Sequence, residues 1–462
     1  MATPAVRLDA EERPLAPLPP GPREPRLVQA LRYAIGPYAA MERATRLFGE
    51  CYTVQSFGPP MVVFSDPEAA KQIFGDDAGA LRAGQANAEV LGPILGANSI
   101  LLLDGERHFR ERRLMGPPLH GERMHVYGRL MQEIADRVID AWPTGRSFPI
   151  HHEMQTITLD IILRAVFGLE EASTFDRVRA PIVRFLRLAD SAAAPFLAIR
   201  QLQIELGGLA PWGRFVRDRD EVRRLLLAEI ARRRAGGTDG RTDILSLLVD
   251  ARDEHGDPMR DEELLDELFT LLMAGHETTA TSLAWVFWHL LRHPEVVKKL
   301  RAELDRVADG GRISPEDVGR LEYLEAVVKE SARLSPVATN VIRRVQRPAR
   351  IGGRDLPAGI DVSANIYATH HRADLWPDPE RFDPERFVGT RPAPYTYFPF
   401  GGGVRRCIGA AFATYEMKVV LAAVMSRVEL RVAPGYRMRA VLRTITVAPS
   451  RGMPVVVERR MS

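Results

Sequence analysis

One cysteine in this sequence lies in surroundings that favour a thiolate. Cys407 follows the glycine-rich run Phe400–Gly403 and two arginines, Arg405 and Arg406, and a long apolar segment begins just after it. If that segment is a helix, its dipole and its free backbone N–H groups stabilise the anionic sulfur and lower the pKa of the thiol. The glycines would also let the backbone approach a flat ligand closely. A lone thiolate shielded from water suits haem iron as a ligand; the alternative is a buried cysteine on an ordinary glycine-rich turn.

A second candidate site interrupts an apolar helix. The pattern predicts one helix from Asp261 to about His293, which Pro294 ends. In its middle stands Ala274-Gly275-His276-Glu277-Thr278-Thr279, although glycine costs about 1 kcal/mol in a helix and threonine is a poor helix former. Such a local conflict often marks a functional site, and an acid beside an alcohol can move protons into a dry site. The alternative is a kink in which the threonine hydroxyl bonds to a preceding carbonyl.

The spacing of the motif residues excludes a zinc protease and a phosphate-binding loop. A zinc protease needs a second histidine on the helix after His276-Glu277, and position 280 is alanine. A phosphate-cradling loop needs a Gly-x-Gly-x-x-Gly frame, which the cysteine loop does not contain because position 406 is arginine.

Composition narrows the class of protein. With 462 residues and 45% hydrophobic side chains, the chain can bury a large core, and its 63 basic and 60 acidic residues are too balanced for a generic nucleic-acid binder. Cys51 and Cys407 are the only cysteines, so no disulfide framework exists and a reducing compartment is expected. Cys51 is predicted to be a small buried hydrophobe. No signal peptide and no run of about 18 apolar residues is found, which predicts a cytoplasmic protein without a membrane span.

The organisation of the chain predicts one domain. Residues 1–25 form a polar, proline-rich lead-in, partly disordered or extended, and residues 26–462 are predicted to be a single interlocked domain. Apolar spacing is helical from about 120 to 335, while strand signals are confined to Tyr52–Phe64, Val345–Val362 and Val428–Val457. Because the strands come from both ends of the chain, a mainly α domain with a small β-rich part is expected.

Four ordered motifs resemble those of the cytochrome P450 superfamily. They are the central-helix motif Ala274–Thr279, the Glu-x-x-Arg helix Glu330–Arg333, the segment Phe382–Phe387, and the cysteine loop, in which Phe400, Gly403, Arg405, Cys407 and Gly409 fill every position of the family's haem-binding signature. The resemblance spans nearly the whole chain. It implies a triangular, prism-like P450 fold, haem b (iron protoporphyrin IX) as cofactor, and a haem-thiolate monooxygenase of the soluble bacterial type.

The resemblance also implies roles in the reaction. Cys407 would be the axial iron ligand. Glu277 and Thr278 would deliver protons, while Ala274 and Gly275 would leave room for oxygen and substrate.

Other residues would hold the cofactor and the fold. A buried ion network would join Glu330, Arg333 and Arg386, although Arg381 occurs in a near-duplicate segment. The remaining haem-binding positions are loop residues and four side chains for the propionates: Phe400, Gly403 and Gly409, and then His108, Arg112, Arg343 and Arg405.

Substrate and partners are less defined. By resemblance the pocket is lined by Leu91, Ile94, Leu95, Phe196, Leu197, Val337, Val341 and Ile445. This apolar set suits a fatty acid, terpenoid, steroid or polyketide, and the alternative is that these side chains simply pack in the core. The chain shows neither a Rossmann nor an iron–sulfur pattern, which predicts separate redox partners. The resemblance implies that electrons from NAD(P)H would arrive through a ferredoxin or flavodoxin and its reductase, at a positive patch of Arg112, Arg113 and Arg406.

Two other functions stay open on the sequence. One is a haem protein of the same fold that is not an oxygenase: a ligand sensor, an isomerase or a peroxide-using enzyme. The intact Glu277-Thr278 pair argues against it, since such relatives commonly alter this position. The other is a haem-free helical interaction protein, which would leave Glu277, Thr278 and the glycine-rich loop unexplained.

Overall fold

The computed structural model describes residues 17–55, 58–76, 79–121, 123–169, 172–189, 211–309 and 312–461. Helices make up most of this part of the chain. They are α1 (Arg26–Ile35), α2 (Pro37–Phe48), α3 (Pro67–Gly75), α4 (Ala83–Leu95), α5 (Gly105–Met115), α6 (Arg123–Asp140), α7 (Ile150–Ile161), α8 (Ala172–Ala189), α9 (Pro211–Gly236), α10 (Ile244–Asp250), α11 (Asp261–Leu290), α12 (Pro294–Ala308), α13 (Glu322–Leu334), α14 (Ile366–His370) and α15 (Ala410–Arg427).

The strands are short and fall into small sheets. They are β1 (Cys51–Val54), β2 (Met61–Phe64), β3 (Leu81–Arg82), β4 (Ser147–Pro149), β5 (Asn340–Val345), β6 (Ala349–Ile351), β7 (Arg354–Leu356), β8 (Asp361–Asn365), β9 (Val428–Val432), β10 (Ala440–Arg443), β11 (Thr446–Pro449) and β12 (Pro454–Arg460). One sheet has the order β1-β2-β8-β5-β3 and a second the order β4-β12-β9, while β6-β7 and β10-β11 are two-stranded. The prediction of a mainly α fold with a small β-rich part is confirmed.

The three strand regions predicted from the sequence contain strands, but β5 overlaps the second region only at Val345, and two further strands lie outside all three regions. β3 and β4 have two and three residues, too few to show an alternating pattern. Each pairs with a strand from a distant part of the chain, β3 with β5 and β4 with β12. The expectation that strands are confined to three places is therefore wrong, because tertiary pairing creates these two.

The long central helix α11 matches its prediction closely. It ends at Leu290 rather than at about His293, and Pro294 begins the next helix. At its start, the Glu263 carboxylate accepts the backbone N–H of Arg260 at 2.9 Å, which satisfies a donor that the helix itself cannot. Nearly all side chains near its C-terminal end are buried, so α11 forms the middle of the core, packed against α7, α13 and α15.

The described end of the proline-rich lead-in lies along the first sheet. The Thr53 backbone N–H donates to the carbonyl of Pro20 at 3.2 Å, and its hydroxyl donates to the carbonyl of Pro19 at 2.7 Å. A Cβ on Gly21 would stand 1.8 Å from the Thr53 carbonyl oxygen. The chain around residues 19–21 therefore packs closely against β1, whereas residues 1–16 lie outside the described part.

No helix within the described ranges is long and apolar enough to cross a membrane.

Candidate active site

The cysteine loop lies between a short helical turn and the helix α15. The turn covers Gly403–Arg405, and α15 begins at Ala410. The Cys407 backbone N–H donates to the Phe400 carbonyl at 2.9 Å, which closes the loop on itself. Cys407 is solvent-exposed. The structure thus presents an accessible thiol just before a helix.

The protein environment alone does not lower the pKa of Cys407. Although Cys407 is exposed, desolvation by the protein atoms around it raises that pKa, and a hydrogen bond from the Gly409 backbone and the charges of Arg112 and Arg406 lower it by less. The expectation that the helix start makes Cys407 a thiolate by itself is therefore wrong. Coordination to a metal removes the thiol proton outright, so a bound iron would supply the stabilisation that the protein does not.

Two glycines of the loop make room for a neighbouring helix. Gly403 has φ +63°, and a Cβ there would lie 2.1 Å from the Phe74 carbonyl oxygen. A Cβ on Gly402 would lie 2.5 Å from the ring of the same phenylalanine, whereas one on Gly409 would meet no atom within 4 Å. Phe74 belongs to α3, so packing on that helix sets the loop's conformation.

Four predicted anion-binding side chains act electrostatically on one another near the thiol. His108 and Arg112 are one turn apart on α5, and Arg343 lies in β5. Burial lowers the pKa of His108 to about 3, with Arg405, Arg112 and Arg343 adding to the effect. His108 is therefore a neutral donor, not a fourth cation. Burial also lowers the pKa of Arg112, while the charge of Cys407 acts in the opposite direction.

Arg405 and Arg112 differ in their partners. Arg405 donates to the Asp104 carboxylate at 2.8 Å and to the Ile100 carbonyl at 3.3 Å. For the half-buried Arg112 side chain, no hydrogen bond or ion pair is found within the residues that the structure describes. A partly buried cation needs an anion, so Arg112 is better placed than Arg405 to take a new carboxylate.

The acid of the central helix is held by donors from α7 and from its own helix. Gln155 Nε2 donates to Glu277 Oε2 at 2.7 Å, and His151 Nε2 lies 3.4 Å from Oε1. Thr281 also donates to Oε1, at 3.1 Å. Burial alone would raise the pKa of Glu277, but the hydrogen bond from His151 and the nearby rings of His151 and His276 lower it to about 2. Glu277 is therefore a carboxylate engaged with protein, and the expected open connection to solvent is not what the structure shows.

Thr278, Ala274 and Gly275 of the same helix have surroundings that differ from those of Glu277. The Thr278 hydroxyl donates to the Ala274 carbonyl one turn back. This is the bond to a preceding carbonyl that the sequence left open as the alternative to a role in proton delivery. Ala274 is exposed in the middle of the buried helix, so the helix has open space at that point. A Cβ on Gly275 would lie 2.9 Å from Ile162 Cδ1. Gly275 therefore admits a protein side chain and does not face the open space.

The ion network predicted from Glu330 is present and buried. Arg333 donates through Nε and Nη2 to the two Glu330 oxygens at 2.7 and 2.8 Å, and both side chains are 0% exposed. Arg386 Nε lies 3.4 Å from Glu330 Oε1, and the Asp383 backbone N–H donates to the same oxygen at 3.0 Å. Arg381 is exposed and contacts Asp383 at 4.0 Å. The structure thus places Arg386, and not Arg381, beside Glu330.

A cavity of about 1430 Å³ lies beside the first sheet, between α1, α2 and α4 and the turn joining β10 to β11. Three of the predicted pocket residues, Leu91, Ile94 and Ile445, line this cavity. Its walls include neither Cys407 nor the Ala274–Thr278 segment, but they do include Arg443. Arg443 also contacts His151, which lies beside Glu277, so one residue of the cavity wall is linked through His151 to the central helix.

The other predicted lining residues lie elsewhere. Leu95 is 3% exposed and belongs to the core, which is a correction to its predicted role. Val337 and Val341 are half-buried, and Val341 Cγ2 lies 3.8 Å from the position of a Cβ on Gly401. Phe196 and Leu197 lie outside the described residues.

Sequence reasoning missed the partners that come from distant elements. His151, Gln155, Asp104 and Arg443 hold the candidate site residues or their neighbours, yet none lies in a motif. Polar residues on the buried face of α7 were the one available signal, because a buried polar side chain needs a partner.

An accessible thiol before a helix, cations beside it and an acid–alcohol pair on a central helix together define a haem-thiolate protein. The chain belongs to the cytochrome P450 family, whose model matches residues 18–455. Among curated relatives, "Putative cytochrome P450 135B1" of Mycobacterium tuberculosis is 39% identical over 443 residues, which cover 95% of this chain and 91% of the relative. "Putative cytochrome P450 138" of the same organism is 36% identical over 452 residues, covering 97% and 98%.

Solved structures of the family share the fold. "Retinoic acid bound cyanobacterial CYP120A1" has a TM-score of 0.82 at 25% identity, covering 96% of this chain and 100% of that one. The "cytochrome P450DA heme domain" has a TM-score of 0.85 at 25% identity, covering 97% and 99%. The resemblance drawn from the four motifs is therefore confirmed. The protein is a haem-thiolate monooxygenase, which uses O2, a substrate and redox partners.

The residues present fit a haem. Cys407 supplies an accessible thiol, and Arg112 supplies a half-buried cation whose charge acts to lower the pKa of that thiol. Arg343 and the neutral donor His108 lie close by. This donor set suits an iron ligand flanked by two carboxylates.

Proposed function

We propose that this monooxygenase inserts one oxygen atom into a large hydrophobic substrate of the fatty acid, terpenoid, steroid or polyketide class. The observation that carries the proposal is the cavity of about 1430 Å³ lined by Leu91, Ile94 and Ile445, from which a substrate would extend past Arg443 to the space beside Ala274. Pockets for drug-sized ligands measure roughly 300–1,000 Å³, so this cavity admits a bulky molecule. Its apolar walls favour hydrophobic substrates, because binding removes their apolar surface from water.

The cofactor is held by the residues around Cys407. When bound, haem supplies oxygen activation and electron transfer, with Cys407 as its thiolate ligand. Arg112 and Arg343 hold the propionates by charge, His108 donates one hydrogen bond, and Arg405 is a further donor that Asp104 keeps in place. The loop positions Phe400, Gly403 and Gly409 shape the turn that presents the cysteine.

We assign proton delivery to Glu277 and Thr278, because splitting O2 consumes two protons in a site kept dry. The Thr278 hydroxyl can turn from the Ala274 carbonyl and donate toward the space beside Ala274, where oxygen and substrate meet. Glu277 is adjacent in the chain and, as a carboxylate, accepts a proton and passes it on. Glu330, Arg333 and Arg386 keep the segment before the cysteine loop in place and take no part in the chemistry.

A substrate-binding screen tests the proposed class. Members of the four hydrophobic classes, added to the ferric haem protein, are expected to displace water from the iron and shift the Soret band. Polar molecules of equal size serve as the control. As a matched variant, Ile94→Asp introduces a charge into the apolar wall and is expected to weaken binding by about tenfold or more, since burying an unpaired charge is costly. Tight binding of polar molecules alone would contradict the proposal.

We further propose that NAD(P)H electrons arrive from a ferredoxin or flavodoxin with its reductase, in the cytoplasm. The supporting feature is the positive surface behind the cysteine, where Arg406 is exposed. Arg113 is 57% exposed and pairs with Glu254 at 2.9 Å. Arg112 interacts with the thiol instead, so it belongs to the haem site more than to the surface. We also propose that residues 26–462 form one catalytic domain, preceded by the lead-in of residues 1–25.

Arg113→Glu tests the electron partner. The reversed charge is expected to slow reduction by an acidic ferredoxin by about tenfold at low salt, the low end of electrostatic steering effects, and to leave the haem spectrum intact. Stopped-flow reduction measures this rate. Arg129→Glu is the matched control, since Arg129 is also an exposed arginine paired with a glutamate, Glu316. Equal rates for wild type and Arg113→Glu would remove this residue from the docking surface.

A further inference from the structure

The donors that hold Glu277 form a closed polar cluster in the core. Gln155 reaches one carboxylate oxygen at 2.7 Å, and Thr281 and His151 reach the other at 3.1 and 3.4 Å. His151 is fully buried, and the Glu277 side chain is 12% exposed. The Glu277 carboxylate therefore lies close to three side-chain donors from α7 and α11, in a place that is largely closed to water.

The orientation of the His151 ring is determined by an arginine from a distant strand. Arg443 Nη1 lies 2.9 Å from His151 Nδ1. A guanidinium only donates hydrogen bonds, so Nδ1 must carry the lone pair and Nε2 must carry the proton. His151 Nε2 therefore donates toward Glu277 and toward Thr281 Oγ1, which is 3.1 Å away. The ring is held as the neutral Nε2–H tautomer.

We propose that His151 is a positioning residue for proton delivery: its ring, fixed by Arg443 as the Nε2–H tautomer, holds the Glu277 carboxylate against α7 in the orientation that proton delivery requires. The inference rests on the proposed role of Glu277 as the proton-delivering acid. Arg443 also lines the large cavity, which places the group that sets the tautomer at the wall of the proposed substrate pocket.

The titratable groups around Glu277 agree with this arrangement. Burial acts to raise the pKa of Glu277, and the hydrogen bonds from His151 and Gln155 act to lower it. His276 lies on α11 itself, bonds to Thr158 of α7 at 2.9 Å, and has its pKa lowered to about 4 by burial. Besides Glu277 itself, two arginines act on these histidines, Arg179 of α8 on His276 and Arg443 of β10 on His151. The hydrogen bond from His151 is the largest influence that opposes burial.

The test compares unfolding by urea at pH 5 to 8 for two variants of the haem-loaded protein. In His151→Phe the donor is lost, and the folded-state pKa of Glu277 should rise above its unfolded value. The protonated Glu277 carboxyl then stabilises the folded state below the pKa that Glu277 has in the unfolded chain. This stabilisation is lost as the pH rises through the pKa that Glu277 has in the folded protein. The folding equilibrium constant should fall by up to about tenfold per pH unit. His151→Gln keeps an N–H donor at the place of Nε2 and should restore the wild-type profile.

Further variants assign the effect to this contact. Adding Glu277→Gln to His151→Phe should abolish the new pH dependence, and His152→Phe, at the exposed neighbouring position, should not create one. A wild-type profile for His151→Phe would overturn the proposal, as would a pH dependence that persists in the double variant.

Product yield per electron separates positioning from proton relay. It is measured with the compound that binds most tightly in the Soret-shift screen. His151→Phe should lower the yield and His151→Gln should restore it. A Gln variant as defective as the Phe variant would mean that the imidazole itself passes protons, which also overturns the proposal.

Thr278→Ala tests the proposed proton delivery separately from the positioning role of His151. The variant should lower the yield while keeping the unfolding profile of wild type. An unchanged yield in Thr278→Ala would contradict the proposed proton delivery, whereas the urea profiles of the His151 variants report on the contact with Glu277 independently.

Discussion

Cys407→Ser is expected to abolish the thiolate-type Soret band of the reduced, CO-bound protein and to reduce product formation to the background of the assay. A serine hydroxyl stays protonated and donates less electron density than a thiolate, so it cannot support O–O cleavage. Changes in the groups that merely support a metal ligand typically cost about 10–100-fold in affinity or activity. Loss of the ligand itself should exceed that range. The spectrum and the product yield are both measured on protein reconstituted with haem.

Cys51→Ser is the matched control for this experiment. Cys51 lies in β1 and is half-buried rather than fully buried as predicted, and burial raises the pKa of its thiol. Its replacement should leave the CO-bound spectrum unchanged. A thiolate-type band that persists in Cys407→Ser and disappears in Cys51→Ser would show that Cys407 is not the iron ligand. A band absent from wild type would return the haem-free function to consideration.

Glu330→Ala is expected to lower the free energy of unfolding by about 3–5 kcal/mol, the range for removing one partner of a buried ion pair. Arg333 would lose both bidentate hydrogen bonds, and Arg386 and the Asp383 backbone N–H would lose their common acceptor. Arg333 is 0% exposed, so water cannot replace the carboxylate. Urea unfolding followed by circular dichroism measures the loss, and a faster release of haem to apomyoglobin should accompany it.

Glu385→Ala removes a surface ion pair for comparison. Glu385 contacts Lys299 at 2.6 Å, but the two side chains are 50% and 58% exposed. Exposed pairs contribute about 0–1 kcal/mol. If Glu330→Ala costs no more than Glu385→Ala, the buried network does not stabilise this fold, and Arg333 must rely on other acceptors such as the His370 carbonyl that it already contacts at 2.8 Å.

Features whose residues are close together in the chain could be predicted from the sequence. The glycine-rich run before Cys407, the acid–alcohol pair on α11 and the pair Glu330–Arg333 are each encoded within a short segment. The long helix α11 and the hairpin β1–β2 were also predictable, because periodicity and turn residues act locally. The substrate-facing residues were only partly predictable. Leu91 and Leu95 look alike in sequence, yet one lines the cavity and the other is buried in the core.

The sequence by itself determined the family and the reaction class, and it singled out Cys407, since those inferences depend on residue types at short spacings. The tertiary structure decided the electrostatic state of the site residues. It chose Arg386 over Arg381 and brought His151 of α7 and Arg443 of β10 toward Glu277. It also raised the pKa of Cys407 where a lower one was expected. The reason is that a pKa depends on burial and on donors within a few ångströms, and those neighbours come from distant segments of the chain.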